Sequence, residues 1–403
     1  MRASRVLQKC LSDSLEPMHR ARSRVLLHAV EALLAGRRLT LMDVARSWPG
    51  AERVRAPLKA MDRLLGNRHL YTERKQVYAD MARWLLRSPR PVIVIDRSDL
   101  KADKSWCLLR AAVPIGGRTL PVLDMVFAGH EQGSPVAERR FLEHLHTLVP
   151  EDATPILVTD AGFRTPWFRA VDAMGWHWVG RLRGRTQAKP VAVPDRKEEW
   201  VPCGALYALA SATPRELPLM QTNRSAPLTC RCVVYGKMPK GRKHRNRRQP
   251  RQVSATSSSR KAARREREPW LIVASPTLML NARQLGKLYA RRMQIELSFR
   301  DLESHRYGHG FEDSLTRSDR RIAILLLVNV LAAFACWLAG MAAEATSVAR
   351  WLMPTGSGRR LYSILRTGRE ALVRDWPMER TSRWLDRLRN LPSSAFDQMT
   401  APA

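Results

Sequence analysis

Acidic residues are scarce in this chain. Its 403 residues hold 37 Asp and Glu against 69 Lys and Arg, a formal net charge of +32. So large a deficit makes a merely solvated surface a poor account of the charge. It favours a polyanionic partner, either nucleic acid or an anionic membrane. Cysteine is also sparse. Cys10, Cys107, Cys203, Cys230, Cys232 and Cys336 are scattered, and only Cys230 and Cys232 lie close. Cys-x-Cys alone is a weak zinc signal, so indifferent thiols in a reducing cytosol are expected. His130, His144, His146 and His177 show no metal-ligand spacing. Met1-Arg-Ala-Ser-Arg-Val has no apolar signal-peptide core. Only one apolar run, Ile322 to Met341, is long enough to span a bilayer. It is Ala-rich and interrupted by Asn329. A helix apolar all round also suits the buried centre of a large domain, and that is the expectation here, without a membrane. The 45% hydrophobic content suffices for a core and for more than one domain.

What is present is a set of three carboxylates in matching contexts. Asp96 ends the apolar run Pro91-Val-Ile-Val-Ile95, and Asp160 ends Pro155-Ile-Leu-Val-Thr159. Glu296 lies in Leu288-Tyr-Ala-Arg-Arg-Met-Gln-Ile-Glu-Leu-Ser-Phe-Arg300, which reads as a helix. Two acids at strand ends and one on a helix can converge on a pair of Mg²⁺ ions. In phosphodiester chemistry such ions sit roughly 3.5–4 Å apart, activating the attacking oxygen and stabilising the leaving one. Mg²⁺ suits the pattern because it binds few carboxylates and keeps positions for water and phosphate. Asp99 and Asp103 lie nearby, but on a strand Asp99 faces away from Asp96.

The chain divides into five segments. Residues 1–88 read as helical and basic, a DNA-binding region. Within it, Leu39–Arg46 and Ala56–Leu65 form two short helices around the break at Pro49-Gly50. They suit either a helix-turn-helix-like reader or an ordinary helical hairpin. Residues 89–184 give strands at Val92–Ile95, Trp106–Val113 and Thr119–Phe127, the last two flanking Gly116-Gly117 as a hairpin. A helix at Pro135–Leu148, a strand at Pro155–Thr159, a helix at Thr165–Met174 and a strand at Trp176–Gly180 follow. That order matches an α/β, ribonuclease-H-like fold, whose sites gather at the carboxyl ends of strands. Residues 185–269 break the rhythm and read as a mainly-β insertion. It carries Leu228–Tyr235 and the basic run 237–251, which includes Lys240, Arg242 and Lys243. That run can be disordered alone and ordered on a phosphate backbone. Residues 270–345 resume the catalytic domain with Trp270–Ala274, and residues 346–403 form a helical C-terminal region.

Tyr289, Arg292, Glu296 and Glu303 are spaced by three, four and seven residues, which places all four along one helical face. An arginine one turn before a metal-binding glutamate can clamp a phosphate. By itself the pair is equally an i,i+4 salt bridge. The segment resembles the Tyr-x2-Arg-x3-Glu-x6-Lys signature of bacterial insertion-sequence DDE transposases of the IS-four family. The likeness runs from Leu39 through Gly340. It includes Met61-Asp-Arg-Leu-Leu-Gly-Asn-Arg-His-Leu70, Asp160-Ala-Gly-Phe163, Glu268-Pro-Trp270, Arg291-Arg-Met-Gln-Ile-Glu296 and Phe299-Arg-Asp-Leu302.

The resemblance implies a cut-and-paste transposase with a ribonuclease-H-like domain interrupted by a β insertion. Asp96, Asp160 and Glu296 would hold Mg²⁺, with Mn²⁺ as a substitute. Tyr289 and Arg292 would contact the phosphate backbone, and Trp270 would stack on a base flipped out during hairpin formation. The partners implied are double-stranded DNA, at the element's ends and at the target, and a second copy of the chain in a synaptic homodimer. The expected location is cytoplasmic, at the nucleoid. One position departs from the signature: Glu303 replaces the family's lysine. A carboxylate cannot hold a phosphate, so that contact falls to Arg300 or Arg306, or else the enzyme is weakened or inactive.

Overall fold

The N-terminal stretch folds into helices because its apolar residues recur at helical spacing and polar side chains cap the helix starts. In this computed structural model the helices are α1 (Ala3–Cys10), α2 (Ser12–Leu15), α3 (Arg20–Gly36), α4 (Leu41–Arg46), α5 (Arg55–Leu65) and α6 (Arg68–Leu85). The Thr40 and Asn67 side chains accept from backbone N–H groups in the first turns of α4 and α6. The two short helices expected around Pro49-Gly50 are α4 and α5.

Next come β1 (Val92–Asp99), β2 (Trp106–Pro114), β3 (Thr119–Ala128), α7 (Pro135–His146), β4 (Ile156–Thr159), α8 (Thr165–Ala173) and β5 (His177–Leu182). Short strands follow as β6 (Gln187–Pro190), β7 (Val201–Pro202), β8 (Arg215–Glu216) and β9 (Met220–Thr222), then β10 (Leu228–Tyr235). The chain continues through α9 (Ser257–Arg267), β11 (Trp270–Ala274), α10 (Ala282–Ala290), α11 (Met293–Glu303), α12 (Asp319–Ala345), α13 (Ala349–Leu352), α14 (Ile364–Val373) and α15 (Met378–Arg389). The structure describes residues 2–184, 186–191, 199–236, 252–253, 256–346, 348–353, 361–376 and 378–390. The mixed strands and helices make an α/β fold.

Two compact units emerge, one of Met1–Pro155 with Arg292–Ala403 and one of Ile156–Arg291. In the first, β3, β2 and β1 form an antiparallel ladder in which Asp96 stands opposite Arg110. The β2–β3 turn is a two-residue hairpin closed by Ile115 N–H donating to Arg118 O at 2.9 Å. Gly116 and Gly117 both take positive φ, 78° and 90°, as that turn requires. The apolar run forms α12, whose most apolar stretch is 94% buried. It lies against β3 and helices α1, α3, α5, α6, α14 and α15, so it is the centre of this unit. Its one polar interruption has a partner, since half-buried His309 donates from Nδ1 to Asn329 Oδ1 at 2.7 Å. Helix α14 crosses α12 with glycine on both sides. A Cβ on Gly368 would meet the Cys336 carbonyl oxygen at 1.7 Å, and one on Gly340 would meet that of Ile364 at 2.2 Å.

In the second unit β4 and β5 run parallel, and β11, β10, β9, β6 and β7 continue the order antiparallel, with β8 paired to β10. Helix α8 lays Phe168 against Trp178 of β5, with ring centroids 4.3 Å apart. All six cysteines are buried with free thiols.

Three expectations need correction. Strand β1 does not end at Asp96, because its pairing with β2 continues through Asp99 opposite Cys107. The segment read as mainly β contains helix α9, since Thr256 caps a run of good helix formers, Arg260-Lys-Ala-Ala-Arg-Arg-Glu-Arg267. The single helix expected around Glu296 is two helices. Ala290 ends α10, Met293 opens α11, and a turn at residues 291–292 separates them.

Candidate active site

Helix α11 is fixed to the β1–β3 ladder from three sides. Ile295, Phe299 and Leu302 recur at i, i+4 and i+7 and are buried. The polar side chains on the adjoining face clamp the hairpin turn. Gln294 Oε1 accepts from Gly117 N–H at 3.1 Å, and Ser298 Oγ accepts from Thr119 N–H at 2.9 Å. Arg118 pairs with Asp301. Beneath the helix, Arg110 places its guanidinium 5.3 Å from the Phe299 ring and makes two 2.7 Å bonds to Asp124. Both Arg110 and Asp124 side chains are 1% exposed. Such a pair is tolerated only with near-ideal, bidentate geometry. It ties β2 to β3 under the site.

This docking brings Asp96, Arg292 and Glu296 together. Arg292 Nη1 donates to Asp96 Oδ2 at 3.1 Å, and Nη2 donates to Glu296 Oε1 at 2.6 Å. Asp96 Oδ1 accepts from the Arg97 N–H at 2.8 Å. The side chains are 14% exposed at Asp96, 12% at Arg292 and 45% at Glu296. One guanidinium thus spans two carboxylates about 200 residues apart in sequence. Oxygen donors from Asp and Glu that already share a cationic group have the chemistry a hard divalent ion takes. Among the described residues, no three Asp, Glu, His or Cys side chains form a ready metal cluster. The fit therefore rests on the Asp96–Glu296 pair.

Asp160 belongs to the second unit and directly follows β4. Its Oδ1 accepts from the Gly162 N–H at 2.8 Å, an Asx turn that holds the carboxylate over the strand end. A Cβ at 162 would lie 2.9 Å from that same oxygen, so any side chain there would push the Asp160 carboxylate aside. Trp270 opens β11, half-buried between two tyrosines set edge-on to it. Its ring lies 5.9 Å from that of Tyr235 and 5.0 Å from that of Tyr289. Tyr289 is 3% exposed. Arg300 and Arg306 are exposed. Lys240, Arg242 and Lys243 lie outside the described residues, as does the whole basic run 237–251.

Glu303 does not stand clear of the helix. It accepts a hydrogen bond from the Ser98 hydroxyl on β1. Burial pushes its carboxyl above the usual range, against the opposing pull of Ser98 and Arg110. The Ser98–Glu303 contact and the Arg110–Asp124 pair escaped the sequence reading. A signal for the second existed, in one charged residue inside each of two otherwise apolar strands.

Comparison with protein families finds that a model described as Transposase DDE domain matches residues 87–334. No curated protein matches the chain.

Proposed function

The chain belongs to the transposase DDE domain family, and from that premise we propose that it is a cut-and-paste transposase acting on the terminal inverted repeats of its own element. The observation that carries the reading is the convergence of Asp96 and Glu296 on Arg292 across about 200 residues of sequence. Within the family, the motifs of this chain are similar to those of the transposase of the tetracycline-resistance transposon Tn-ten. A ribonuclease-H-like core accounts for the antiparallel β1–β3, the parallel β4–β5 pair and the acids on β1 and after β4.

In this reading Asp96, Asp160 and Glu296 would hold Mg²⁺, or Mn²⁺ in its place. When bound, the ions supply activation of the attacking oxygen and stabilisation of the leaving oxygen. The protein's own contribution is placement. Helix α11, bolted to the hairpin through Gln294 and Ser298, sets Glu296 against β1. Arg292, already turned to the carboxylates, is within reach of a phosphate beside them, and exposed Arg300 extends the contact, while Tyr289, 3% exposed, supports Trp270 edge-on. Lys240, Arg242 and Lys243 add backbone affinity. Water first cuts one strand at the element's end. The freed 3′-OH attacks the opposite strand to form a hairpin, Trp270 supporting the displaced base. A second water opens the hairpin, and the 3′-OH joins target DNA. A homodimer holding two ends, acting at the nucleoid in the cytoplasm and not at a membrane, completes the proposal.

The test is a gel shift and a cleavage assay on Asp96→Ala, Asp160→Ala and Glu296→Ala with end-containing DNA. Each variant loses cleavage and keeps binding, because affinity comes mainly from cations on phosphates. Near-normal cleavage by any one removes that residue from the triad. A second reading, a DNA-binding protein descended from a transposase and weakened in catalysis, is favoured by Glu303, which offers no cation where the family has lysine. Binding without cleavage by the parent protein would establish it.

A further inference from the structure

The segment between α11 and α12 is folded back on itself through one histidine. His305 follows the end of α11, and its ring lies between two carboxylates of the short turn Phe311–Ser314. Nδ1 is 3.1 Å from Asp313 Oδ2, and Nε2 is 3.3 Å from Glu312 Oε2. An ionised carboxylate only accepts hydrogen bonds, and a neutral imidazole has a single N–H. Both contacts are therefore hydrogen bonds only in the imidazolium. In the neutral ring, one nitrogen lone pair faces a carboxylate. Asp313 Oδ2 also accepts from Arg38 Nη1 at 3.2 Å, and Leu39 N–H donates to His309 O at 3.0 Å. The same segment thus grips the joint between α3 and α4. Gly310 permits the close approach. It takes φ 59°, and a Cβ there would lie 2.5 Å from Arg38 Nη1 and 2.8 Å from Asp313 Oδ2. Charged groups reach the turn from the neighbouring elements as well. Lys101, with Asp103 beside it, comes from between β1 and β2, and Glu303 from the end of α11. With Glu312, Asp313 and Arg38 these make four acids against two cations, a surplus that favours positive charge on His305. Arg306 lies instead over the Tyr307 ring, 5.1 Å from its centroid. Hydrogen bonding to Asp313, with the pull of both carboxylates, holds His305 above its ordinary value. His309 on the same segment faces Asn329, and desolvation holds it below that value.

We propose that His305 is a pH-sensitive latch, whose imidazolium closes segment 304–314 onto the α3–α4 joint and whose loss of a proton releases it. The folded value of His305 lies above 6.5. Closure is therefore complete below the unfolded value and is lost as pH rises through the folded one. That window is near neutrality, where histidine is the side chain that changes charge. The side chains are 57% exposed at His305, 38% at Glu312 and 42% at Asp313, so solvent screens the ion pairs and the latch opens readily. The segment directly follows the helix that carries Glu296, so its release loosens the link between that helix and the α3–α4 joint. The device operates whether or not the chain cleaves DNA.

The experiment places a nitroxide label on this segment of the full chain. Tyr307→Cys offers the attachment point, since Tyr307 is 75% exposed and all six natural cysteines are buried. The parent chain treated with the same reagent gives the background. Paramagnetic resonance then follows the mobile and immobile populations from about pH 5.5 to about pH 8.5, the range in which histidine titrates. The mobile-to-immobile ratio should rise about twofold or more, the scale of exposed ion pairs, with a midpoint above 6.5. Adding His305→Gln should hold the ratio high and level, because an amide does not titrate. Adding Glu303→Gln should leave the rise in place, which separates the latch from the titration of Glu303. A second measurement follows the ring itself, by magnetic resonance of the chain carrying isotope-labelled histidine. The His305 signal is the one missing from His305→Gln. Its midpoint should lie above 6.5 and fall toward that value in Glu312→Gln with Asp313→Asn. Thermal melting confirms that each variant folds, and His305→Asn replaces His305→Gln if that one does not. The proposal is overturned by a ratio that stays level with pH in the labelled parent, by a rise that persists undiminished without His305, or by a His305 midpoint at or below 6.5.

Discussion

Replacing Arg292 by alanine should weaken the protein and tighten its hold on a divalent cation at the same time. The guanidinium lies 3.1 Å from Asp96 and 2.6 Å from Glu296. Glu296 is nearly half exposed, so solvent screening leaves its share at about 0–1 kcal/mol. Asp96 and Arg292 are 14% and 12% exposed, and removing the cation strands a largely desolvated carboxylate. A fully buried pair costs roughly 3–5 kcal/mol to break, and about 2 kcal/mol is reasonable here because the Arg97 N–H still serves Asp96. The same guanidinium competes with any metal for those oxygens. At about 1.4 kcal/mol per tenfold, relief of that competition raises Mn²⁺ affinity about ten- to thirtyfold. Free Mn²⁺ can be followed by its paramagnetic resonance signal during titration, and melting measured with and without the ion. Arg292→Ala should melt lower than the parent without metal, recover more with it, and lose the gain when Asp96→Asn is added. Mn²⁺ affinity unchanged or weaker in Arg292→Ala would refute the reasoning, even if DNA cleavage were lost.

The other expectations follow from particular side chains. Glu303 has its folded-state carboxyl raised by burial, so its contribution to stability is full below the unfolded value near 4.5 and is lost as pH rises through the folded one. Glu303→Gln should therefore gain melting temperature over the parent at pH 7 but not at pH 4, and Glu303→Lys, which removes the acceptor for Ser98, should melt lower than Glu303→Gln at both. Trp270→Ala should remove two edge-on ring pairings, worth about 0.5–1.5 kcal/mol each beyond area burial. With Trp270→Phe as the folded reference, nicking without hairpin accumulation supports base stacking, whereas equal loss of both steps assigns Trp270 to the core. Neutralising the basic run 237–251 should flatten the salt dependence of DNA binding by about 0.9 for each phosphate the run had neutralised, and an unchanged slope would show that the run touches no phosphate.

Much of the architecture is readable because it rests on local patterns. Leu228–Tyr235 and Trp270–Ala274 are legible as strands to the residue, since a run of β-branched residues bounded by turns has few other outcomes. Gly116-Gly117 marks its hairpin for the same reason. The bulk of what positions the site is not readable, because it consists of partnerships between distant segments. Nothing local to Ser298 or Gln294 announces a hairpin turn nearly 180 residues earlier. Spacing puts Glu303 on the face of Glu296 but does not put it under Ser98, since periodicity gives a face but not what covers it. The turn at residues 291–292 is hidden because both flanking sequences are good helix formers, and propensity alone argues for continuity.

The glycine crossing of α12 and α14 has a consequence for how the chain reaches its native state during synthesis. Helix α12 is apolar on every side, and the face at Gly340 is covered by residues that leave the ribosome more than twenty positions later. Until Ile364–Gly368 arrive, that one face of the apolar helix is uncovered in a nascent chain. A gene truncated between these helices would give a product that keeps its carboxylates and loses its solubility. The C-terminal region, which bears no legible chemistry, thus completes the cover of the helix at the centre of the first unit.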